Sequence, residues 1–269
     1  MAERVVVVGA GLAGLTTATV LTQRGDQVTL VERLPSVGGV WGFDDPAIVS
    51  AEADCRRAGV VFHLGCSALR WTGDRVLIVG PGDVRWLEAD RLVFAGGSRP
   101  PTAAELRIAG GRLAGVFAAT VAHHLLDAGV VLGHKPVIVG SPADAAIVLP
   151  HLAEHGHVTI VGGERSDRSG SIHDTLDWWP GYRPLRLHGT DRVDLLDVSD
   201  GVGHSRLYCD AVILAGPTLP LRNIDGAVRD DSVGVTFVQP LEPALGATRL
   251  RDAVRRDLSS PRLQGTLVP

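Results

Sequence analysis

The chain has 269 residues, a formal net charge of −4 and a single lysine, Lys135. That length allows about two domains with ample chain to bury a core, and the slight acidic excess leaves no electrostatic footprint for nucleic acid or an anionic membrane. Its three cysteines, Cys55, Cys66 and Cys209, are widely spaced with no CxxC pair, which argues against a redox-active disulfide or a four-cysteine metal or iron–sulfur site.

The N-terminal segment reads as strand Arg4–Val8, a glycine turn, helix Gly11–Arg24 and strand Gln27–Val31, with Glu32 closing the unit. The turn Gly9-Ala10-Gly11-Leu12-Ala13-Gly14 is a GxGxxG fingerprint in the strand–turn–helix context that gives it meaning. Gly9 permits the tight turn, Gly11 lets a pyrophosphate approach the backbone, and Gly14 lets the helix pack closely on the sheet. The helix N-terminus offers free N–H groups to phosphates. Glu32 is placed to accept ribose hydroxyls and to repel a 2′-phosphate. Ala18 occupies the helix packing position and Gly25 ends the helix. A signal peptide is the rival reading of this apolar stretch, but Ala2-Glu3-Arg4 is not net basic and the small residues belong to the turn. No run reaches the ~18 apolar residues of a membrane span, so a cytoplasmic protein is expected.

A polar segment follows, then short β-like pieces at Val60–Phe62, Ala68–Trp71, Arg75–Val79 and Val84–Leu87, and a closing run Ala89–Gly97. Pro100-Pro101 marks a boundary. Residues 101–135 form a connection with a helical pattern over Thr120–Leu132. The grammar then repeats: strand Pro136–Val139, turn Gly140–Ala145, helix Ala143–His155 and strand Val158–Val161. Short β pieces follow at Leu185–Leu187, Arg192–Val198 and Ser205–Tyr208, then Cys209–Gly216. Two βαβ units, each with a β-meander, predict an α/β protein with two tandem Rossmann-like, three-layer dinucleotide-binding domains. The expected division is 1–100, 101–216, and a short return of 217–269 to the first domain.

Over residues 4–216 this architecture resembles the two-dinucleotide-binding-domain flavoproteins, the pyridine nucleotide-disulfide oxidoreductase superfamily of thioredoxin and glutathione reductases. Arg33 after Glu32, the Gly38-Gly39-Val40-Trp41 segment, and Ala95-Gly96-Gly97-Ser98-Arg99-Pro100 carry the likeness, with Gly96 where the family pattern has Thr. The resemblance implies FAD on the first unit, held by the Gly9–Gly14 turn, Glu32, Arg33, Gly39, Val40, Trp41, Ala95, Gly96 and Gly97, with the Ala68 backbone at the adenine. The linker, from Ile108-Ala109-Gly110-Gly111 to Phe117-Ala118-Ala119 with Leu125-Leu126 and Gly129, is similar to a narrower group. These are the FAD subunits of hydrogen cyanide synthase, opine oxidase and dye-linked proline dehydrogenase, which resemble part of the large subunit of sarcosine oxidase. That likeness implies a hetero-oligomer with a partner subunit, oxidising an amine or amino acid.

Two departures qualify the resemblance. In Gly140-Ser141-Pro142-Ala143-Asp144-Ala145 a proline replaces the middle glycine, adding a ring and removing a donor where a pyrophosphate must approach. Gly163 stands where the closing acid is expected, with Glu164 one place late, and Arg165 and Arg168 read as loop arginines. NAD(P) binding is therefore expected to be poor or absent. The family's C-terminal Gly-Asp, which holds the ribitol region, corresponds to Gln239-Pro240 in Gly234–Pro240. A non-catalytic nucleotide-binding scaffold is thus an alternative, and a free-standing NAD(P)H-dependent flavin reductase a second.

His151-Leu152-Ala153-Glu154-His155 spells H-x-x-E-H, but Gly156 ends that helix at once and histidines suit a helix C-terminus. No metal site is expected from it or from His123-His124. Trp178-Trp179, with nearby His173-Asp174, reads as a loop used for packing or a subunit contact. No catalytic acid or base is identifiable, since flavin chemistry often needs none.

Overall fold

A computed structural model of the chain describes residues 2–164, 176–221, 234–240 and 246–259. It divides into two compact units, one within Met1–Ser98 and Pro220–Pro269 and the other within Arg99–Leu219.

In the first unit, β1 (Arg4–Val8), α1 (Leu12–Gln23), β2 (Gln27–Glu32), α2 (Pro46–Arg57) and β3 (Val61–Leu64) lead into an antiparallel meander. The meander consists of β4 (Ser67–Trp71), β5 (Arg75–Gly80) and β6 (Asp83–Glu88), after which β7 (Arg91–Phe94) and the short β8 (Ser98–Arg99) follow. The second unit contains β9 (Val116–Ala118), α3 (Ala119–Asp127), β10 (Pro136–Val139), α4 (Leu149–Ala153), β11 (Val158–Val161) and β12 (Leu176–Trp179). Its own meander is β13 (Arg183–Gly189), β14 (Val193–Ser199) and β15 (His204–Tyr208), followed by β16 (Ala211–Leu214) and β17 (Leu219–Pro220). The chain then returns to the first unit as β18 (Val235–Phe237) and α5 (Gly246–Ser259).

Each unit is built on a five-stranded parallel sheet, in the order β18-β7-β1-β2-β3 and β12-β11-β10-β16-β9. Both faces of each sheet are covered, which is why the central strands read as unbroken Val/Ile runs rather than alternating ones. Successive side chains on β1 go to opposite layers: Val5 and Val7 join Leu15, Leu21 and Leu30 on the helix side, while Val6 joins Trp71, Val76 and Ile78 on the meander side. In the second unit Ile138 faces the helices, while Val137 and Val139 face Leu196 and Val198 of the meander. The predicted three-layer, two-unit α/β class is the observed one.

Helix α1 is buried around its whole circumference from Leu12 to Leu21. Its threonines survive burial because Thr17 and Thr19 donate to the carbonyls of Ala13 and Leu15 one turn back, at 2.7 and 3.1 Å. Leu30 is fully buried between this helix and the sheet. Leu30→Ala is expected to destabilise the chain by about 2–5 kcal/mol through lost transfer energy and an unfilled cavity, read as a lowered denaturation midpoint.

Three expectations need correction. The helix predicted over Ala143–His155 is regular only over Leu149–Ala153. Pro150 lacks the N–H that would bond back to residue 146, and its ring disfavours a helical turn before it. Residues 142–148 instead form successive turns, with Ala145 N–H on the Ser141 carbonyl and Val148 N–H on that of Ala145. Helix α3 stops at Asp127 rather than running to Leu132, because Gly129 takes φ 75° and Val130 N–H closes on the Leu125 carbonyl. Trp178 and Trp179 lie on β12, an edge strand, not in a loop. His173, Asp174, Arg165 and Arg168 lie outside the described residues.

Candidate functional site: one open glycine turn and one closed

The first turn connects β1 to α1. Gly9 sits at φ 104°, and a Cβ there would run into the Ala95 carbonyl. A Cβ on Gly14 would overlap the Gly9 carbonyl, so helix and turn meet backbone to backbone. Gly11 differs from both. A Cβ built on it meets nothing nearer than the Gly39 Cα at 4.0 Å, so its missing side chain leaves a concavity. Gly11 is also the N-cap of α1 and supplies no capping side chain, and the first turn holds no acidic residue. Among the described residues, neither the N-cap nor the first turn supplies an anion to the opening N–H groups of the helix.

The second wall of this concavity is the Gly38–Gly42 segment. Gly38 N–H donates to the Ala10 carbonyl at 2.9 Å, and Gly11 and Gly38 form a parallel bridge. Gly39, Val40 and Trp41 make one 3₁₀ turn. Gly38 and Gly39 both have positive φ, at 120° and 61°. Trp41 packs against the helix-side core, whereas Val40 and Phe43 are left largely exposed beside the turn.

Glu32 is the one buried acid at this end of the sheet. Its Oε2 accepts from Ala10 N–H at 2.7 Å and its Oε1 from Leu34 N–H at 2.9 Å. Two backbone donors keep the buried carboxylate satisfied, and each oxygen retains a lone-pair direction for a further donor. Arg33 is exposed just beyond it. Cys66 N–H binds the Glu32 carbonyl at 2.8 Å, so Cys66 lies beside the acid. Ala68, by contrast, is two residues further along, paired with Ile78 inside the meander.

Ala95, Gly96 and Gly97 follow β7 on the far side of Gly9. The glycine at 96 has a local cause: a Cβ there would lie 2.8 Å from the Leu221 carbonyl and against the Phe94 ring. Leu221 N–H also donates to the Gly97 carbonyl at 2.9 Å. The returning β18 pairs in parallel with β7, and Phe237 packs on Phe94 at 5.7 Å. Gln239 N–H is taken by the Asp257 carboxylate of α5 at 3.0 Å.

The second turn, after β10, is closed. The Asp144 carboxylate accepts from Ser141 N–H at 2.9 Å and Ser141 Oγ at 2.7 Å, while Asp144 N–H donates back to Ser141 Oγ at 3.2 Å. This reciprocal Ser-x-x-Asp box places a carboxylate where a nucleotide phosphate would seek N–H donors. The same carboxylate lies so close over Gly216 that a Cβ there would overlap it. Gly163 sits at φ 78° packed on Ser141, and Glu164 is exposed. The closure missed by the GxGxxG comparison was readable as Ser141-x-x-Asp144, a capping pattern.

Burial pushes the Cys55 thiol up to about 11, partly offset by its hydrogen bond with Thr19, and pushes Cys209 up to about 12. All three cysteines are free. Trp178 Nε1 donates to the Gly162 carbonyl at 2.9 Å, and Trp179 stacks edge-on to Tyr182 at 4.9 Å, so both rings have partners within their own unit.

Parallel sheet, glycine turn, uncapped helix and buried terminal acid define a Rossmann-like fold with a second unit of the same build. Residues 1–116, less than half of the chain, match the sequence profile of the pyridine nucleotide-disulphide oxidoreductases. Dihydrolipoyl dehydrogenase 3 of Haloarcula marismortui is 36% identical over 109 residues, covering 37% of this chain and 22% of its own length. Dihydrolipoyl dehydrogenase of Pseudomonas aeruginosa is 33% identical over 99 residues, covering 36% and 21%. These matches thus span about a fifth of the curated relatives. In fold, thioredoxin reductase of T. acidophilum superposes with a TM-score of 0.64 at 17% identity, covering 96% of this chain and 97% of that one. L-proline dehydrogenase of P. horikoshii gives 0.59 at 20% identity, covering 88% and 50%. Among the described residues no helix is long and apolar enough to cross a membrane.

Proposed function

We propose that the chain is an FAD-dependent oxidoreductase subunit that works in a hetero-oligomer and oxidises an amine or amino acid. The observation that carries the cofactor assignment is the contrast between the turns: Gly11 leaves open space at an uncapped helix, while the second turn has Pro142 in that position and a carboxylate, Asp144, bound to Ser141 N–H beside it. The Gly9–Gly14 turn would hold the pyrophosphate and Glu32 the adenosine ribose through its remaining lone pairs. Exposed Val40 and Phe43 beside the turn offer apolar surface for a large planar ligand to cover. When bound, FAD would supply the two-electron acceptor for oxidation of an amine to an imine.

Amine chemistry rests on the linker resemblance and on the fold shared with a proline dehydrogenase. The buried, raised-pKa thiols of Cys55 and Cys209 and the lack of a CxxC pair weigh against disulfide reduction. The closed second turn weighs against a free-standing NAD(P)H-dependent flavin reductase. A scaffold subunit without flavin is the reading that Gln239-Pro240 favours, since the Gln239 N–H is already spent on Asp257. The visible spectrum of the purified chain after incubation with FAD and gel filtration separates these. Stoichiometric flavin absorbance supports the oxidoreductase subunit, and a colourless chain leaves the scaffold. Amine-dependent bleaching that requires a co-expressed partner subunit would support the complex; unaided turnover by a flavin-saturated monomer would overturn it.

A further inference from the structure

We propose that His123, Asp127 and His151 bind a divalent first-row transition-metal ion of the zinc class, tying α3 to α4 within the second unit. His123 and Asp127 are four residues apart on α3 and so share a face. His151 comes from α4, which packs on α3 through Leu126, Val148 and Leu152. His123 Nε2 lies 3.4 Å from Asp127 Oδ2, and His151 Nε2 lies 3.2 Å from Asp127 Oδ1. One ligand atom from each residue falls within 4.8 Å of the other two, and the two imidazole rings are 5.7 Å apart.

The spacing separates this group from the chain's other histidine–carboxylate pairs. His188–Asp197 closes to 2.7 Å and His157–Asp177 to 3.0 Å, each a single imidazole on a single carboxylate. Charge-assisted hydrogen bonds sit at about 2.7–2.9 Å. The looser 3.2 and 3.4 Å contacts run to the two different oxygens of Asp127, which therefore stands between both imidazoles rather than closing on one. One carboxylate faces two imidazoles, from two different helices. His123 Nδ1 is buried without a hydrogen-bond partner, and the Asp127 carboxylate is the polar contact its ring has.

Two nitrogens and one oxygen suit Zn²⁺, Co²⁺, Ni²⁺ or Cu²⁺ better than Ca²⁺ or Mg²⁺. Three protein ligands leave a fourth position for water. Neither Glu154 nor His155 of the H-x-x-E-H string is in the cluster, so the motif contributes one ligand and α3 the other two. The site would brace α4, which has five residues and a proline in its first turn.

The test is a Co²⁺ titration of the untagged, full-length, metal-free chain, followed by ligand-field absorption and equilibrium dialysis. It needs no flavin and no substrate, so its outcome is independent of the proposed oxidoreductase function. One Co²⁺ per chain, displaced by Zn²⁺, is expected. Asp127→Asn and His151→Gln are each expected to weaken binding at least about tenfold, the lower end for loss of even an outer-shell partner. His157→Gln is the control and leaves binding unchanged. Asp127 and His151 are well enough exposed that both variants fold, which far-UV circular dichroism verifies. Absence of Co²⁺ binding, or binding that both variants leave unchanged, overturns the site.

Discussion

Gly11→Val is expected to give a folded chain that no longer retains FAD. The added Cβ comes no nearer to the protein than the Gly39 Cα at 4.0 Å, an ordinary contact, so the new side chain is expected to leave the fold intact. It occupies the place through which a pyrophosphate reaches the α1 amides. A loss of at least two orders of magnitude in affinity, roughly 3 kcal/mol at about 1.4 kcal/mol per tenfold, is expected, with near-unchanged thermal unfolding of the flavin-free chain. Gly14→Val is the contrasting control, since its side chain would overlap the Gly9 carbonyl and should prevent folding. Fluorescence titration with FAD reads both. Full flavin retention by Gly11→Val would place the cofactor elsewhere.

The second large effect concerns the closed turn. NADH and NADPH are expected not to reduce the flavin of the wild-type chain rapidly, and Pro142→Gly alone should not change that. Removing the ring still leaves the Asp144 carboxylate on Ser141 N–H, repelling an incoming phosphate. The double variant Pro142→Gly/Asp144→Ala frees those donors. It is expected to raise nucleotide affinity about tenfold to a hundredfold, from charge-assisted hydrogen bonds of about 1.5–3 kcal/mol. It should also lose about 0.5–2 kcal/mol of stability with the cap. Nucleotide titration and stopped-flow reduction measure the gain. Rapid reduction of the wild-type flavin would show that the Ser141–Asp144 box opens for nucleotide.

Much of this architecture was legible because its signals are local. The GxGxxG turn and the buried Val runs each announce themselves within a few residues. Helix α2 was passed over as a polar segment although Asp45-Pro46 carried a start signal: Asp45 Oδ1 accepts from Ala47 N–H at 2.8 Å and proline occupies the first turn. Only Ile48 and Cys55 of this helix are fully buried, too few for a clear apolar stripe. Trp178 and Trp179 were misplaced because strand β12 follows residues without strand pattern and pairs with β11 only through tertiary contact. The histidine cluster was invisible for a similar reason. Its members come from two helices, and only folding selects His151 over His155.

The Asp144 box also gives the two units different thermodynamic lives. The second turn binds its Ser141 N–H to its own Asp144 carboxylate, so a nucleotide has less to add there. With the proposed cofactor on the first turn, the stability of that unit would rise with free cofactor as RT ln(1 + [L]/Kd), about 2.7 kcal/mol at a hundredfold excess over Kd. Cofactor supply in the cell would then set how long the first unit resists proteolysis, while the second, carrying its own anion, would be indifferent to it.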